Sequence, residues 1–87
     1  MFRIFLTKEA AKFYQKSDET TKDRLDKCFG VLKTDPADGP NIKRLRGELS
    51  GLYRYRMGQL RVIFKIEEDR IVIIIAIGSR GGVYKKV

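Results

Sequence analysis

The chain has 87 residues, a formal net charge of +8, and a composition that is 43% hydrophobic and 34% charged. This length predicts a single domain over residues 1–87, because chains divide only beyond roughly 250 residues, and the mixed composition is typical of a globular protein. The longest apolar run, from Ile71 to Ile77, has seven residues. A membrane-spanning helix needs ~20, so we expect no membrane span. The segment after Met1 lacks the long apolar stretch of a secretory signal, which makes a cytoplasmic location the default expectation.

Two residue counts exclude several kinds of catalysis. The chain has no histidine and a single cysteine, Cys28. These counts exclude an internal disulfide, a cysteine–histidine nucleophile, a Ser-His-Asp triad and most catalytic zinc sites. We expect Cys28 to be a core residue.

The N-terminal part of the chain predicts a strand followed by two helices. Phe2 to Leu6 is mostly apolar and predicts a short strand, and Thr7 is placed to cap a helix from Lys8 to about Lys16. Ser17 precedes two acidic residues and predicts the start of a second helix, because its hydroxyl can accept a hydrogen bond from an unpaired backbone amide.

The second helix has one apolar stripe, and a loop ends it. Its apolar residues recur at helical spacing and are Leu25, Cys28, Phe29 and Leu32. Such a stripe can lie on a sheet, so the two helices are expected to form an antiparallel pair that covers one sheet face. The segment TDPADGP, from Thr34 to Pro40, contains both prolines and predicts a turn-rich loop. Residues 41–47 then cross to the sheet with three basic residues.

The C-terminal half predicts three strands. Residues of the first two alternate, so Tyr53, Tyr55 and Met57 share one face while Arg54 and Arg56 lie on the other. In the next strand, Arg61 falls on the arginine side, and Gly58-Gln59 provides the turn between the two. The run from Ile71 to Ile77 does not alternate and predicts a strand buried on both faces in the middle of the sheet. We therefore predict an α+β fold, with two helices on one face of a small, mainly antiparallel, twisted sheet of about four strands.

The basic charge is concentrated in the sheet-forming half. Residues 1–42 hold eight Lys and Arg against seven Asp and Glu, whereas residues 43–87 hold eleven against four. This asymmetry indicates a polyanionic partner, either nucleic acid or an acidic protein segment. A charged face that only maintains solubility is the simpler alternative.

Three consecutive parts of the chain carry a family resemblance: the segment IKRLRGELSGLYRYRMGQLRVIFKI, the buried strand after it, and the ending IGSRGGVYK. Together they resemble the RelE/ParE superfamily of toxins from type II toxin–antitoxin modules. The resemblance covers nearly the whole chain. It implies two helices on an antiparallel sheet without metal or cofactor, and a RelB-like antitoxin with an acidic segment as partner. The RelE branch, which the ending favours, implies a ribosome-dependent endoribonuclease that cuts messenger RNA in the ribosomal A site and so inhibits translation.

The resemblance also implies roles for particular residues. Arg54 and Arg56 correspond to the basic strand pair of RelE-type toxins, Arg61 to the phosphate-binding arginine, and Arg80 to the arginine after the last strand. Tyr84 corresponds to the aromatic residue that stacks on a base. Outside this catalytic set, the residues expected to contact RNA or the ribosome are Lys43, Arg44, Arg46 and Lys85.

The chain departs from the best-known members at Arg54 and Arg56, where those members have lysines. Arginine stays protonated in proteins, so these two side chains can stabilise negative charge but cannot serve as the general base. The Tyr84 hydroxyl, the Glu48 carboxylate and a group of ribosomal RNA remain open as the base. Two other functions also remain open: a ParE-like inhibitor of DNA gyrase, and an inactive relative that only binds an antitoxin.

Overall fold

The computed structural model of the protein describes residues 1–87, which form two helices and one five-stranded sheet. The helices are α1 (Lys8–Lys16) and α2 (Glu19–Thr34), and the strands are β1 (Arg3–Leu6), β2 (Ile42–Arg44), β3 (Tyr53–Met57), β4 (Leu60–Glu67) and β5 (Ile71–Ser79). The strand order is β1-β5-β4-β3-β2, with β1 parallel to β5 and every other pair antiparallel. The predicted α+β fold is confirmed, with five strands rather than about four. Neither helix has the length and apolarity needed to cross a membrane.

The additional strand is β2, in the segment that was expected only to cross to the sheet. It has three residues and pairs with β3, where Ile42 lies opposite Tyr55 and Arg44 lies opposite Tyr53. Three residues are too few to show an alternating pattern, so only the free edge of β3 identifies this segment as a strand. Its pairing places Lys43 directly opposite Arg54.

Side-chain hydrogen bonds mark three helix ends, which are the start of α1, the end of α1 and the start of α2. The Ala10 backbone amide donates to the Thr7 hydroxyl at 3.2 Å, which confirms Thr7 as the cap of α1. The prediction that Ser17 caps α2 is wrong. The Ser17 hydroxyl donates to the Phe13 carbonyl at 2.7 Å and closes α1, whereas the Asp18 carboxylate accepts from the Thr21 amide at 2.8 Å. This bond from the Thr21 backbone lowers the pKa of the Asp18 carboxyl.

The main core lies between the helices and one face of the sheet. Leu25, Cys28 and Leu32 are buried on α2 and pack with Phe64 of β4 and other inward-facing sheet residues. Cys28 is a core residue as predicted, and its burial raises the pKa of the thiol to about 12. The rings of Tyr53 and Phe64 stack with centroids 5.3 Å apart on this same face. The predicted separation of apolar and basic sheet faces is therefore confirmed.

Strand β5 contains a β-bulge. Ile63 pairs with Ala76 but Phe64 pairs with Ile74, which leaves Ile75 as an extra residue on β5. Both Ile75 and Ala76 pack on the face away from the helices, and the next residue returns to the helix side. The strand lies inside the sheet as predicted. We expected the whole strand to be buried on both faces. Ile73 is only half-buried, because no helix covers the sheet face on which it lies.

Thr7 connects this bulge to the start of α1. Its hydroxyl donates to the Ile75 carbonyl at 2.9 Å while accepting from the Ala10 amide, and its own amide donates to the Ile74 carbonyl at 3.0 Å. One side chain therefore caps the helix and also satisfies a carbonyl of the irregular part of the strand.

Replacing Thr7 with valine keeps the branched shape and removes both hydroxyl hydrogen bonds. We expect the free energy of unfolding to fall by about 2 kcal/mol, from roughly 1 kcal/mol for each bond. Urea unfolding measures this loss. Thr20→Val is the matched control, because Thr20 is exposed in the first turn of α2; equal losses in the two variants would contradict the double role of Thr7.

Candidate functional site

The sheet face away from the helices carries the arginines of the β3–β4 hairpin. In this hairpin Arg54 lies opposite Ile63, and Arg56 lies directly opposite Arg61. Opposite residues of an antiparallel pair share a face, so the pairing brings like charges together. This pairing of like charges is unfavourable for the strand pair itself.

An open hollow of about 570 Å³ lies beside these arginines, and we call it the arginine pocket. Its lining consists of six cationic residues, one leucine and one phenol: Lys43, Arg44, Leu45, Arg46, Arg54, Arg61, Arg80 and Tyr84. No carboxylate lines it. Four strands or turns that are distant in sequence therefore present positive charge to one small volume.

A second hollow of about 680 Å³ lies at the tip of the same hairpin, and we call it the hairpin pocket. It is lined by Arg24, Lys27, Asn41, Tyr55, Arg56, Met57, Gly58, Gln59, Arg61 and Arg80. Arg61 and Arg80 line both hollows and so mark their common boundary. Arg56, expected with the rest of the catalytic set, lies in the hairpin pocket rather than in the arginine pocket.

Arg61 is the most tightly oriented of these side chains. Its Nη1 donates to the carbonyls of Gly58 and Leu60 at 2.8 and 2.9 Å. Partial removal from water lowers the pKa of this guanidinium, and the neighbouring charge of Arg54 lowers it further. Because arginine nevertheless stays protonated, the result is a fixed positive charge in surroundings that favour an incoming anion.

The segment after β5 is anchored beside Arg61. The Arg80 amide donates to the Gln59 carbonyl at 3.0 Å, which ties the end of β5 to the hairpin turn. A short 3₁₀ turn follows, Val83–Lys86, in which Val83 is fully buried against Ile63. Tyr84 is half-buried next to this small cluster and also borders the arginine pocket. Its ring therefore has one side packed and another available to the pocket.

Lys86 connects this turn to β5 and to α1. Its Nζ donates to the Ile77 carbonyl at 2.8 Å and lies 5.2 Å from the centre of the Phe13 ring on α1. A Cβ on Gly78 would come within 3.2 Å of that nitrogen, so the glycine leaves the path of the lysine open. Lys86 thus holds the residues around Tyr84 in place.

Acidic partners for the pocket cations are missing within the chain. The one ion pair in the structure joins Lys65 and Glu67 at 2.8 Å, on the part of the sheet away from both pockets. Glu48 is exposed on the 3₁₀ turn Gly47–Leu49 and lines neither pocket. No group of three or more acidic or cysteine side chains could hold a metal ion. The arrangement can bind several anionic groups and stabilise added negative charge, and the Tyr84 hydroxyl is an acid–base group on the border of the arginine pocket.

Most residues predicted from the sequence border one of the two pockets, and Lys85 does not. Lys85 is exposed on the C-terminal turn and lines neither hollow. Sequence reasoning missed Arg24 and Lys27, which bring two charges from α2 to the hairpin tip. The sequence contains an indication of this pair, because residues three apart share one helix face.

Replacing Arg56 with glutamine removes one of two like charges that lie directly opposite each other. We expect the free energy of unfolding to rise by roughly 0.3 kcal/mol at low salt, and the gain to shrink between about 20 and about 500 mM salt as screening increases. Urea unfolding at both salt concentrations measures it. The exposed α1 residue Lys12 supplies the control Lys12→Gln, and a gain of the same size there would refute local repulsion.

Replacing Lys86 with methionine keeps the long side chain and removes the bond to the Ile77 carbonyl. We expect a stability loss of about 1 kcal/mol and faster amide hydrogen exchange around Tyr84. The informative amide is that of Lys85, which donates to the Gly82 carbonyl at 3.1 Å. The neighbouring variant Lys85→Met should leave both quantities unchanged, and equal exchange in the two variants would exclude the fastening role.

Comparison with known families gives a match along almost the entire chain. Residues 4–84 match the family described as ParE toxin of type II toxin-antitoxin system, parDE. A Methanocaldococcus jannaschii protein that carries the toxin designation RelE1 is 32% identical over 87 residues, covering 97% of this chain and 96% of that protein.

Solved structures show the same architecture. The archaeal RelE–RelB complex from Pyrococcus horikoshii contains a chain with 25% identity and a TM-score of 0.79, with 94% of this chain and 98% of that chain covered. The toxin–antitoxin complex RelBE2 from Mycobacterium tuberculosis gives 25% identity, a TM-score of 0.76, and coverage of 91% and 98%. The YoeB/ParE toxin from Agrobacterium tumefaciens has a TM-score of 0.81 at 15% identity, with coverage of 91% and 99%, and supports the fold alone. The chain therefore belongs to the RelE/ParE superfamily of toxins from type II toxin–antitoxin systems.

Proposed function

We propose that this toxin is a ribosome-dependent endoribonuclease that cleaves messenger RNA in the ribosomal A site. The observation that carries the proposal is that Arg54, Arg61, Arg80 and Tyr84 border one open pocket that no carboxylate lines. A polyanion with flat bases is the ligand that such a lining suits, since guanidinium groups bind phosphate and an aromatic ring stacks on a base.

The reaction requires alignment and charge stabilisation more than it requires a cofactor. The 2′-hydroxyl oxygen attacks the adjacent phosphorus, the bond from phosphorus to the 5′-oxygen breaks, and the hydroxyl proton leaves while the 5′-oxygen gains one. Holding the nucleotide in line for attack can contribute roughly 7 to 11 kcal/mol, and one well-placed donor to the developing charge about 3 kcal/mol.

Each side chain has a role suited to its position. Arg61 is held by two backbone carbonyls and would bind the scissile phosphate, assisted by Arg54. Arg56 would contact it from the hairpin pocket, and Arg80 would neutralise charge on the leaving side. Tyr84 would stack on a neighbouring base.

The geometry argues against one of the three candidate proton acceptors. Arginine stays protonated and cannot take the 2′-hydroxyl proton. Glu48 lines neither pocket, which argues against that residue. The candidates that remain are the Tyr84 hydroxyl and a group of ribosomal RNA, and the second agrees with dependence on the ribosome.

The antitoxin is proposed to be RelB-like, with an acidic segment. The Pyrococcus horikoshii and Mycobacterium tuberculosis relatives are described as toxin–antitoxin complexes, and six cationic residues without internal carboxylate partners line the arginine pocket here. Carboxylates of such a segment would compete with RNA for the same guanidinium groups. Because messenger RNA is translated in the cytoplasm, the proposed site of action is there.

Inhibition of DNA gyrase is the second candidate. The matching family is described as ParE toxin, and a basic surface that binds an acidic partner needs no proton acceptor. The arginines at positions 54 and 56 are compatible with this function and also with an inactive relative. The retained Arg80 and Tyr84 after the last strand favour the nuclease.

Cleavage in a reconstituted translation system tests the nuclease proposal. We expect Arg61→Gln to reduce cleavage about 100-fold or more and Tyr84→Ala about 10- to 100-fold, while Tyr84→Phe retains most activity because stacking is preserved. Arg70→Gln is the control, since Arg70 is exposed at the β4–β5 turn and lines neither pocket.

The possible failures of this assay are informative. If Tyr84→Phe and Tyr84→Ala lose cleavage activity equally, the Tyr84 hydroxyl acts in proton transfer and stacking is not its main role. Intact messenger RNA together with inhibited gyrase supercoiling would establish the second candidate instead, and no effect in either assay would indicate an inactive relative.

A further inference from the structure

The hairpin pocket extends the basic surface onto α2, beyond the residues that the nuclease proposal uses. It shares Arg61 and Arg80 with the arginine pocket and adds Arg24 and Lys27, which are exposed on α2. Neither added residue has an acidic partner in the structure, because the one ion pair lies elsewhere. The two pockets therefore form one continuous track of positive charge around the hairpin tip.

Gly58 lies at the hairpin tip, where the track passes from β4 towards α2. It has a φ of 59°, in the region that favours glycine, and its carbonyl accepts from Arg61. A Cβ on Gly58 would lie 2.5 Å from Nη2 of Arg24. Arg61 borders both pockets and Arg24 lines the hairpin pocket, so their guanidinium groups both lie close to this turn.

The lining of the hairpin pocket favours a phosphodiester backbone over a peptide. Apart from its cations, it offers the amide side chains of Asn41 and Gln59, and only two of its ten residues are hydrophobic. Peptide segments that bind tightly need buried apolar or aromatic anchors. Lysine, arginine and amide side chains are instead the usual contacts to phosphate and sugar.

We infer that the hairpin pocket is a subsite for the ribose–phosphate backbone of the same RNA strand that occupies the arginine pocket, with Arg24 and Lys27 as its phosphate-binding residues. The inference rests on the proposed function for the choice of RNA. A short strand does not reach Arg24 and Lys27, whereas a longer one continues around the hairpin tip onto α2. The sequence of the bases is not read there, because the contacts are to the backbone.

Binding of 2′-O-methyl RNA tests the subsite without depending on cleavage, because the attacking hydroxyl is blocked. Affinity is measured by fluorescence anisotropy for single strands of about 3 and about 12 nucleotides over a range of salt. We expect Arg24→Ala/Lys27→Ala to weaken binding of the long strand about tenfold, and to reduce the magnitude of its logarithmic salt slope by about 1.4, at 0.7 for each lost contact. Binding of the short strand should not change.

The control removes the same charge from helices outside the track. Lys16 and Lys33 are exposed in the last turns of α1 and α2 and line neither pocket, so Lys16→Ala/Lys33→Ala should bind both strands like the unchanged protein. Thermal unfolding verifies that all variants fold.

The outcomes separate this inference from the proposed function. Normal long-strand binding by Arg24→Ala/Lys27→Ala, or no long-strand binding by the unchanged protein, overturns the subsite, whatever the cleavage assay gives. A loss confined to the long strand supports it even if messenger RNA is not cleaved. If the double variant loses affinity for a poly-glutamate peptide but not for RNA, the pocket binds an acidic protein segment and the inference is wrong.

Discussion

The register of the β3–β4 hairpin is the constraint on which the rest of the structure depends. Side chains alternate between faces, so a slip of one residue would send the arginines of β3 into the core and its tyrosines into solvent. Two features fix the register: the short turn at Gly58 and Gln59, and the stacking of Tyr53 on Phe64 at 5.3 Å. The same pairing that builds the core therefore builds the basic face.

The like charges on this basic face lower the stability of a small protein. Fifteen of the 87 residues are buried, so the core that must compensate for repulsion among guanidinium groups is small. Arg56 and Arg61 lie directly opposite each other. The pKa of Arg61 is lowered first by partial removal from water and then by neighbouring guanidinium groups, of which Arg54 has the largest effect. A bound anion would relieve that repulsion, so each of the two proposed ligands, RNA and an acidic antitoxin segment, is expected to stabilise the fold.

Local sequence patterns were sufficient for the β3–β4 hairpin and for the helix face that covers the sheet, and insufficient where the outcome depends on tertiary packing. The hairpin, the α2 stripe and the cap at Thr7 follow from spacing and residue type. At the start of α2, Ser17 and Asp18 are both good capping residues, and only the position where α1 ends decides between them. β2 is too short for a periodic signal, and the approach of Arg24 to Gly58 depends on how α2 crosses the sheet.

The bulge at Ile75 gives β5 one residue more than its partner, without changing which face its neighbours occupy. Without that residue, Ile74, Ala76 and Ile77 would alternate regularly and keep their present sides. The insertion is therefore neutral for the core, and its effect is geometric: a bulge bends a strand and increases its local twist. Here the bulged residue is the one whose carbonyl accepts from the Thr7 hydroxyl, and the strand runs on from it to Ser79, which precedes Arg80. The start of the first helix and the direction of a proposed RNA-binding arginine are in this way connected through a single extra residue.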